Sequence, residues 1–275
     1  MTLDDYLALD GPAPQLRHAY GTAAAQYAEL FLPEGAGPFP LVALIHGGCW
    51  TVAYGGIRQM RNLAAALVAE GIAVWNIEYR CVDEAGGGYP GTYQDVALAL
   101  DSLRQLAGAH ALDLQRVVLV GHSAGGHLAQ WAAARARLPR SSPLWVDEAL
   151  AVPQVISLGG LADLRHEKDL IKTSCERDMV QLTGLPSAER PDVYADTSPG
   201  ELLPAGVHTV LIHGELDSIA PLRVGQDFAR RAQAAGDSAE VIVLPGGSHY
   251  DEVAASSPAW PLVLAAIRKA LRVPD

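Results

Sequence analysis

Apolar residues fall along this chain in two alternating rhythms. Short, nearly continuous apolar runs occupy residues 40–46, 72–79, 117–120, 152–158, 207–213 and 239–244. Continuity rather than alternation is the mark of strands buried on both faces of a sheet. A seventh run, 26–33, alternates like an edge strand and ends in a Pro/Gly turn. Between the runs lie segments with helical spacing: 58–70, stopped by Gly71, then 93–106, the Ala/Leu-rich stretch to about 137, 223–235 and 260–271. Strands separated by helices mean βαβ units, and right-handed crossovers then place helices on both sheet faces. The expected fold class is α/β, a doubly wound, mostly parallel central sheet with a small helical cap insertion. Residues 162–205 are that insertion: they break the rhythm, carry many charges and end in Ser198-Pro199. Residues 1–20 are polar and Pro-interrupted, and read as a surface arm. The whole of 1–275 reads as one domain, without repeats or linkers.

In an open α/β sheet ligands bind outside the carboxyl ends of the strands, so the residues just past each strand are the site candidates. The run 117–120 ends in Gly121-His122-Ser123-Ala124-Gly125-Gly126-His127. Here a sharp strand-to-helix turn would lift the Ser123 hydroxyl out of the sheet edge, with the helix N-terminus behind it. A serine hydroxyl needs a base to take its proton, and that base needs a carboxylate to fix its tautomer. Residues 247–250, Gly-Ser-His-Tyr, supply His249 in a Gly-rich loop, the best-placed base of nine histidines. The loop His213-Gly214-Glu215-Leu216-Asp217 supplies the acid, where Asp217 competes with Glu215 and with Asp163. The oxyanion needs inward-pointing amides: Ala124 comes directly after the nucleophile, and His46-Gly47-Gly48-Cys49-Trp50 can turn Gly48 and Cys49 toward it. His122 packs or lines the pocket, His127 reads as a core residue, and His213 as a residue ordering its own loop. Trp50, Tyr54, Trp145 and Tyr250 are candidates for an aromatic, substrate-binding wall, with His122 beside them.

Composition narrows the partners. With 49% hydrophobic and 19% charged residues the chain has material for a large core. A net charge of -11 argues against nucleic acid and against an anionic membrane surface. No apolar stretch reaches the ~18 residues of a membrane span, and the first residues do not look like a signal peptide. Cys49, Cys81 and Cys175 are odd in number and unrelated in spacing, so they read as free thiols in a cytoplasmic protein. No histidine cluster suggests zinc and no Gly-x-Gly-x-x-Gly comes after the first strand, so neither metal nor cofactor is expected. The expected partner is a small-molecule ester or amide; oligomeric state is open, a homodimer included.

Taken together and in this order, the motifs at 46–50, 121–127, 213–217 and 247–249 resemble the α/β-hydrolase fold superfamily. Within it, His-Gly-Gly-x-Trp and Gly-His-Ser-Ala-Gly are similar to the esterase and lipase branch near hormone-sensitive lipase and kynurenine formamidase. Asn76-Ile77-Glu78-Tyr79-Arg80, the Gly-rich 86–91 and Asp95 are similar to bacterial members of that branch. Ser198-Pro199 and Asp217-x-x-x-Pro221 resemble prolyl-oligopeptidase catalytic domains. Cys49 departs from the third Gly usual in lipases, while kynurenine formamidases keep a side chain there. The resemblance implies Ser123 as nucleophile, Asp217 and His249 as its partners, and the amides of Gly48, Cys49 and Ala124 as oxyanion donors. The leading expectation is a carboxylesterase-type serine hydrolase acting on small to medium esters through an acyl-enzyme. An arylformamidase, a small peptidase or amidase, and a non-catalytic receptor on the same fold are the alternatives.

Overall fold

A computed structural model describes residues 1–273. Its strands are β1 (Leu16–Ala19), β2 (Tyr27–Phe31), β3 (Phe39–Ile45), β4 (Ala73–Ile77), β5 (Leu112–His122), β6 (Gln154–Leu158), β7 (His208–Gly214) and β8 (Ala239–Leu244). They form an 8-stranded sheet in the order β1-β2-β4-β3-β5-β6-β7-β8. β1 and β2 are antiparallel additions at one edge, and every pairing from β4 to β8 is parallel. The helices are α1 (Leu3–Leu7), α2 (Ile57–Ala69), α3 (Gly91–Asp101), α4 (Leu103–Leu106) and α5 (Ala124–Ala134). They continue with α6 (Lys168–Cys175), α7 (Val180–Thr183), α8 (Leu222–Ala235) and α9 (Trp260–Leu271).

The pleat of β3 explains why its sequence is apolar throughout. Leu41, Ala43 and Ile45 point into one core with Leu100 of α3 and Leu128 and Trp131 of α5. Val42 and Leu44 point into the opposite core, against Met60 and Leu63 of α2 and Val263 and Ile267 of α9. Both faces are therefore covered, as continuous runs require. A smaller cluster seats Phe228 and Ala232 of α8 on Leu211 of β7. The expected doubly wound, mostly parallel α/β sheet is what forms, and strand ends β3, β5, β7 and β8 converge on one edge of it.

Three local readings are corrected. First, residues 1–20 are more than a surface arm. Thr2 and Asp5 form a reciprocal capping box that starts α1, Tyr6 is 1% exposed, and Leu16–Ala19 pairs with β2. A five-residue helix with one deeply buried anchor leaves no periodicity to read. Second, 93–106 is two helices, α3 and α4, interrupted at Ser102. Third, Cys49 and Cys175 are joined in a disulfide, leaving Cys81 as the free, buried thiol. The expectation of three free thiols fails because the two partners stand 126 residues apart in sequence, where no spacing rule operates. Only the folding of α6 over the loop after β3 brings them together. Among the described residues no helix is long and apolar enough to cross a membrane.

Candidate active site

β5 ends at His122, and Ser123 takes φ 53 and ψ -117 before α5 begins at Ala124. A non-glycine residue in that conformation is strained and persists only where its surroundings dictate it. Two glycines permit it. A Cβ on Gly121 would lie 2.1 Å from the Gly125 carbonyl oxygen, and one on Gly125 would lie 2.1 Å from the Ile45 oxygen. Backbone thus crosses backbone directly under Ser123, whose own amide donates to the Leu158 carbonyl at 2.8 Å. Among the described residues Ser123 Oγ forms no hydrogen bond, so the hydroxyl is free to turn.

Beyond β3 the backbone runs through three consecutive positive-φ residues, Gly48 (103°), Cys49 (50°) and Trp50 (56°). The Trp50 indole is turned into the core, where Nε1–H donates to His127 Nδ1 at 3.2 Å. Thr51 Oγ1 donates to Asp83 at 2.5 Å, and the disulfide holds Cys49. Beneath the loop, His46 pairs with Glu78 at 2.6 Å and stacks on Tyr79. Burial pulls the His46 pKa down, but the Glu78 charge and hydrogen bond outweigh it and hold it above its ordinary value.

Across the cavity, His249 Nδ1 and Asp217 Oδ2 are 2.7 Å apart, both buried. The other Asp217 oxygen accepts the amides of Ile219 and Ala220, each at 2.8 Å, which fixes the carboxylate in place. Its rivals are engaged elsewhere. Glu215 accepts the Gly246 amide at the surface, and Asp163 is bound by Arg231 and His166. His213 Nδ1 bonds the Ala220 carbonyl at 2.9 Å, ordering the same loop as expected.

A cavity of about 150 Å³ is lined by Ser123, His249, Gly48, Cys49, Tyr54 and Tyr250, among others. It brings together the expected nucleophile, base and oxyanion loop, with Asp217 behind His249. His122 also lines it; its Nε2 lies 3.0 Å from the His249 carbonyl, while Nδ1 is buried without a partner. Burial, then the neighbouring His249, hold the His122 pKa well below its usual value, so the ring is neutral. Trp50 and Trp145 do not belong to the lining: Trp50 is core, and Arg140 covers Trp145. The substrate-binding wall expected from four aromatics therefore reduces to Tyr54 and Tyr250.

Several wall residues had no signal in the sequence. Leu3 and Tyr6 of α1, Ser174 of α6, Glu176 just after it, and Ile219 all line the cavity. Tyr6 stacks on Tyr250, and its hydroxyl is buried without a partner. Glu252, three residues after His249, is 1% exposed and accepts the Gly214 amide at 2.7 Å. Burial, then the charge of Asp217, push its pKa well above the usual carboxyl value. A carboxyl held neutral beside a charged one could have been suspected only from the fold.

Residues 29–231 match the BD-FAE family. Over 241 residues the chain is 25% identical to the probable isoprenylcysteine alpha-carbonyl methylesterase ICME of Oryza sativa subsp. japonica, covering 84% of this chain and 57% of that protein. Over 273 residues it is 27% identical to esterase LipC of Mycobacterium tuberculosis, covering 89% and 66%. The chain thus spans between half and two-thirds of the length of these relatives. Esterase B from Lactobacillus rhamnosis shares the fold with a TM-score of 0.77 at 21% identity, over 98% of this chain and 90% of that one.

Proposed function

The chain belongs to the BD-FAE family, in the esterase and lipase branch of the α/β-hydrolase fold, and from that premise we propose that it hydrolyses carboxylic esters through an acyl-enzyme on Ser123. The observation that carries the reading is the buried His249–Asp217 pair at 2.7 Å opening onto the same cavity as Ser123. With Nδ1–H donated to Asp217, His249 Nε2 is the free lone pair that takes the serine proton as Oγ attacks the ester carbonyl. Negative charge develops on the carbonyl oxygen, and the amides of Gly48, Cys49 and Ala124 are the donors assigned to it. The Ala124 N–H, at the start of α5, has no partner within its helix. Collapse of the tetrahedral intermediate expels the alcohol, which takes its proton from His249. Water then repeats the sequence on the acyl-enzyme, with His249 as base again. The esterase names of LipC and of the rice methylesterase agree with this chemistry.

Substrate size is set by the cavity. About 150 Å³ suits a short acyl group, since a cavity of that order takes a molecule about the size of benzene. Residues 162–205, which carry α6 and α7, act in this reading as a small cap. The arylformamidase alternative loses ground because Trp50 and Trp145 do not face the cavity. The cytoplasmic location expected from free thiols also loses its footing, since a Cys49–Cys175 disulfide persists in an oxidising environment. The test is hydrolysis of p-nitrophenyl acetate, butyrate and palmitate, with fluorophosphonate labelling of wild type and Ser123→Ala. Turnover of the two short esters, with labelling abolished by Ser123→Ala, is expected. A folded wild type that neither turns over any ester nor labels would sink the reading.

A further inference from the structure

We infer that Cys175, which touches no reacting atom, is a positioning residue: its disulfide to Cys49 holds an oxyanion amide in place, so that turnover rises and falls with that bond. The inference rests on the esterase reading above and assigns to it a means of control. Cys49 stands in the middle of the three consecutive positive-φ residues after β3. A non-glycine residue in that region is strained and stays there only if the surroundings over-determine it. Several restraints do so: the Thr51 amide donating to the Gly48 carbonyl at 2.9 Å across the turn, the Val82 amide donating to the Trp50 carbonyl at 2.8 Å, the indole bond of Trp50 to His127, the Thr51–Asp83 hydrogen bond, and the disulfide. Only the disulfide acts at Cys49 itself. Neither the Gly48 nor the Cys49 amide is engaged by any acceptor among the described residues; the Gly48–Thr51 bond closes the turn around Cys49 without holding an atom of Cys49, whose own tether is the disulfide.

The anchor at the other end belongs to the cap. Cys175 is the last residue of α6, and Ser174 and Glu176 on either side of it line the catalytic cavity. Glu176 itself takes a left-handed conformation, φ 52 and ψ 33. One bond therefore ties the amide donor, two wall residues and the end of a cap helix into a single unit. A second cavity, about 370 Å³ and lined by Cys175, Tyr54 and Arg177, opens beside the bond. A small dithiol can approach from there although Cys175 is 2% exposed.

Reduction by such a dithiol is a balanced two-electron exchange. One thiolate of the reagent attacks Cys175 Sγ and displaces Cys49 as a thiolate. The second sulfur of the reagent then closes on the first, releasing Cys175 as a thiolate. The reagent leaves as a cyclic disulfide, and its two protons end on Cys49 and Cys175. Freed of its tether, Cys49 relaxes toward negative φ and its amide swings off the oxyanion position.

The experiment measures ester turnover in oxidised wild type, in wild type reduced with dithiothreitol and then reoxidised, and in Cys175→Ala. Loss of one oxyanion donor lowers kcat by about 10²-fold or more. We expect that fall on reduction, its recovery on reoxidation, and the same fall locked in by the variant, with KM within about threefold because ground-state binding does not use the amide. Affinity for a short alkylboronic acid, which mimics the tetrahedral intermediate, should fall in parallel, while inhibition by the product acid should not. Thermal unfolding establishes that each form is folded at the assay temperature. Where Cys175→Ala is not, Cys175→Val keeps buried apolar volume at the site and takes its place. A folded, reduced enzyme with kcat within twofold of the oxidised one overturns the inference. So does a fall confined to KM, which would give the bond a role in the cap alone. Failure of oxidised wild type on every ester would instead overturn the esterase reading.

Discussion

The two flanks of Ser123 are built from different materials. On the β3 side the groups assigned to the chemistry are backbone amides, and their direction depends on three residues at positive φ held by a disulfide, an indole bond and a threonine. On the β7 and β8 side they are side chains, and their direction depends on hydrogen bonds received by the Asp217 carboxylate and on burial. Amides do not titrate, so the donors of the first flank act through geometry, and protons reach them only through the groups that hold the loop, such as His127. Imidazole and carboxylate do titrate, so the second is tuned by charge. A lesion on either flank should therefore announce itself differently: as a loss tied to conformation on the first, and as a loss tied to proton position on the second.

Asp217→Asn tests the second flank and has the largest expected effect. Asparagine keeps an oxygen for the amides of Ile219 and Ala220, so the loop stays folded. It offers an NH₂ group where His249 Nδ1 needs an acceptor, which drives the imidazole to the wrong tautomer. The comparable change in another serine hydrolase costs about 10⁴ in kcat, and a fall of that order is expected here, with KM little changed and unfolding temperature close to wild type. A kcat within tenfold of wild type on p-nitrophenyl acetate would mean that Asp217 does not orient the base.

This difference in material also decided what could be read from the sequence. The candidate residues Ser123, Asp217, His249 and the Gly47–Gly48 turn could be singled out because each is a residue type that a serine hydrolase would need and each comes after an apolar run that could only be a strand. The sheet itself was legible for the same reason: Val42 and Leu44 on one face and Leu41, Ala43 and Ile45 on the other leave no polar position to mistake. What escaped depends on chain segments meeting in space. Cys49 and Cys175 carry no signal of their pairing across 126 residues. Tyr6 lies in a helix too short to show a period, and reaches the cavity only because α1 packs on the loop after β8. Trp50 looked like a wall residue because its motif is one; whether an indole faces cavity or core is settled by a partner, His127, seventy-seven positions away.

His127 gives a middle-sized test aimed at the first flank. Its Nδ1 accepts the Trp50 indole proton and its Nε2 lies 2.8 Å from the Thr197 carbonyl, so protonating the ring breaks the Trp50 bond. Burial lowers its pKa to about 4, from an ordinary 6.5. Between those values the unfolded chain binds the proton and the folded one does not, so stability falls as pH drops from about 6.5 to 4. That difference is worth on the order of 3 kcal/mol. Urea unfolding of wild type and His127→Gln at pH 7 and pH 4 checks it: the variant should lose less stability over this interval by about that amount. Equal losses in the two proteins would show that the histidine under the oxyanion loop does not report its protonation to the fold.

Glu252 supplies the finest distinction, because it asks how much negative charge the second flank tolerates. Its carboxyl accepts the Gly214 amide with one oxygen, and the other is buried without a partner, in a pocket shared with the rings of His122 and His249. Burial first, and the charge of Asp217 second, hold it protonated well above the usual range. The folded state therefore binds more protons than the unfolded one from about pH 4.5 upward, and stability is lost as pH rises toward the raised pKa. Glu252→Gln keeps the acceptor for Gly214 and the neutral charge, so kcat near neutrality should stay within about threefold of wild type. Because the variant does not titrate, its unfolding temperature relative to wild type should climb as pH rises above about 5. A large kcat loss at pH 7 would mean instead that Glu252 works as an anion, sharing with Asp217 the imidazolium formed during turnover. The second flank would then be a two-carboxylate device rather than one charge in a neutral setting.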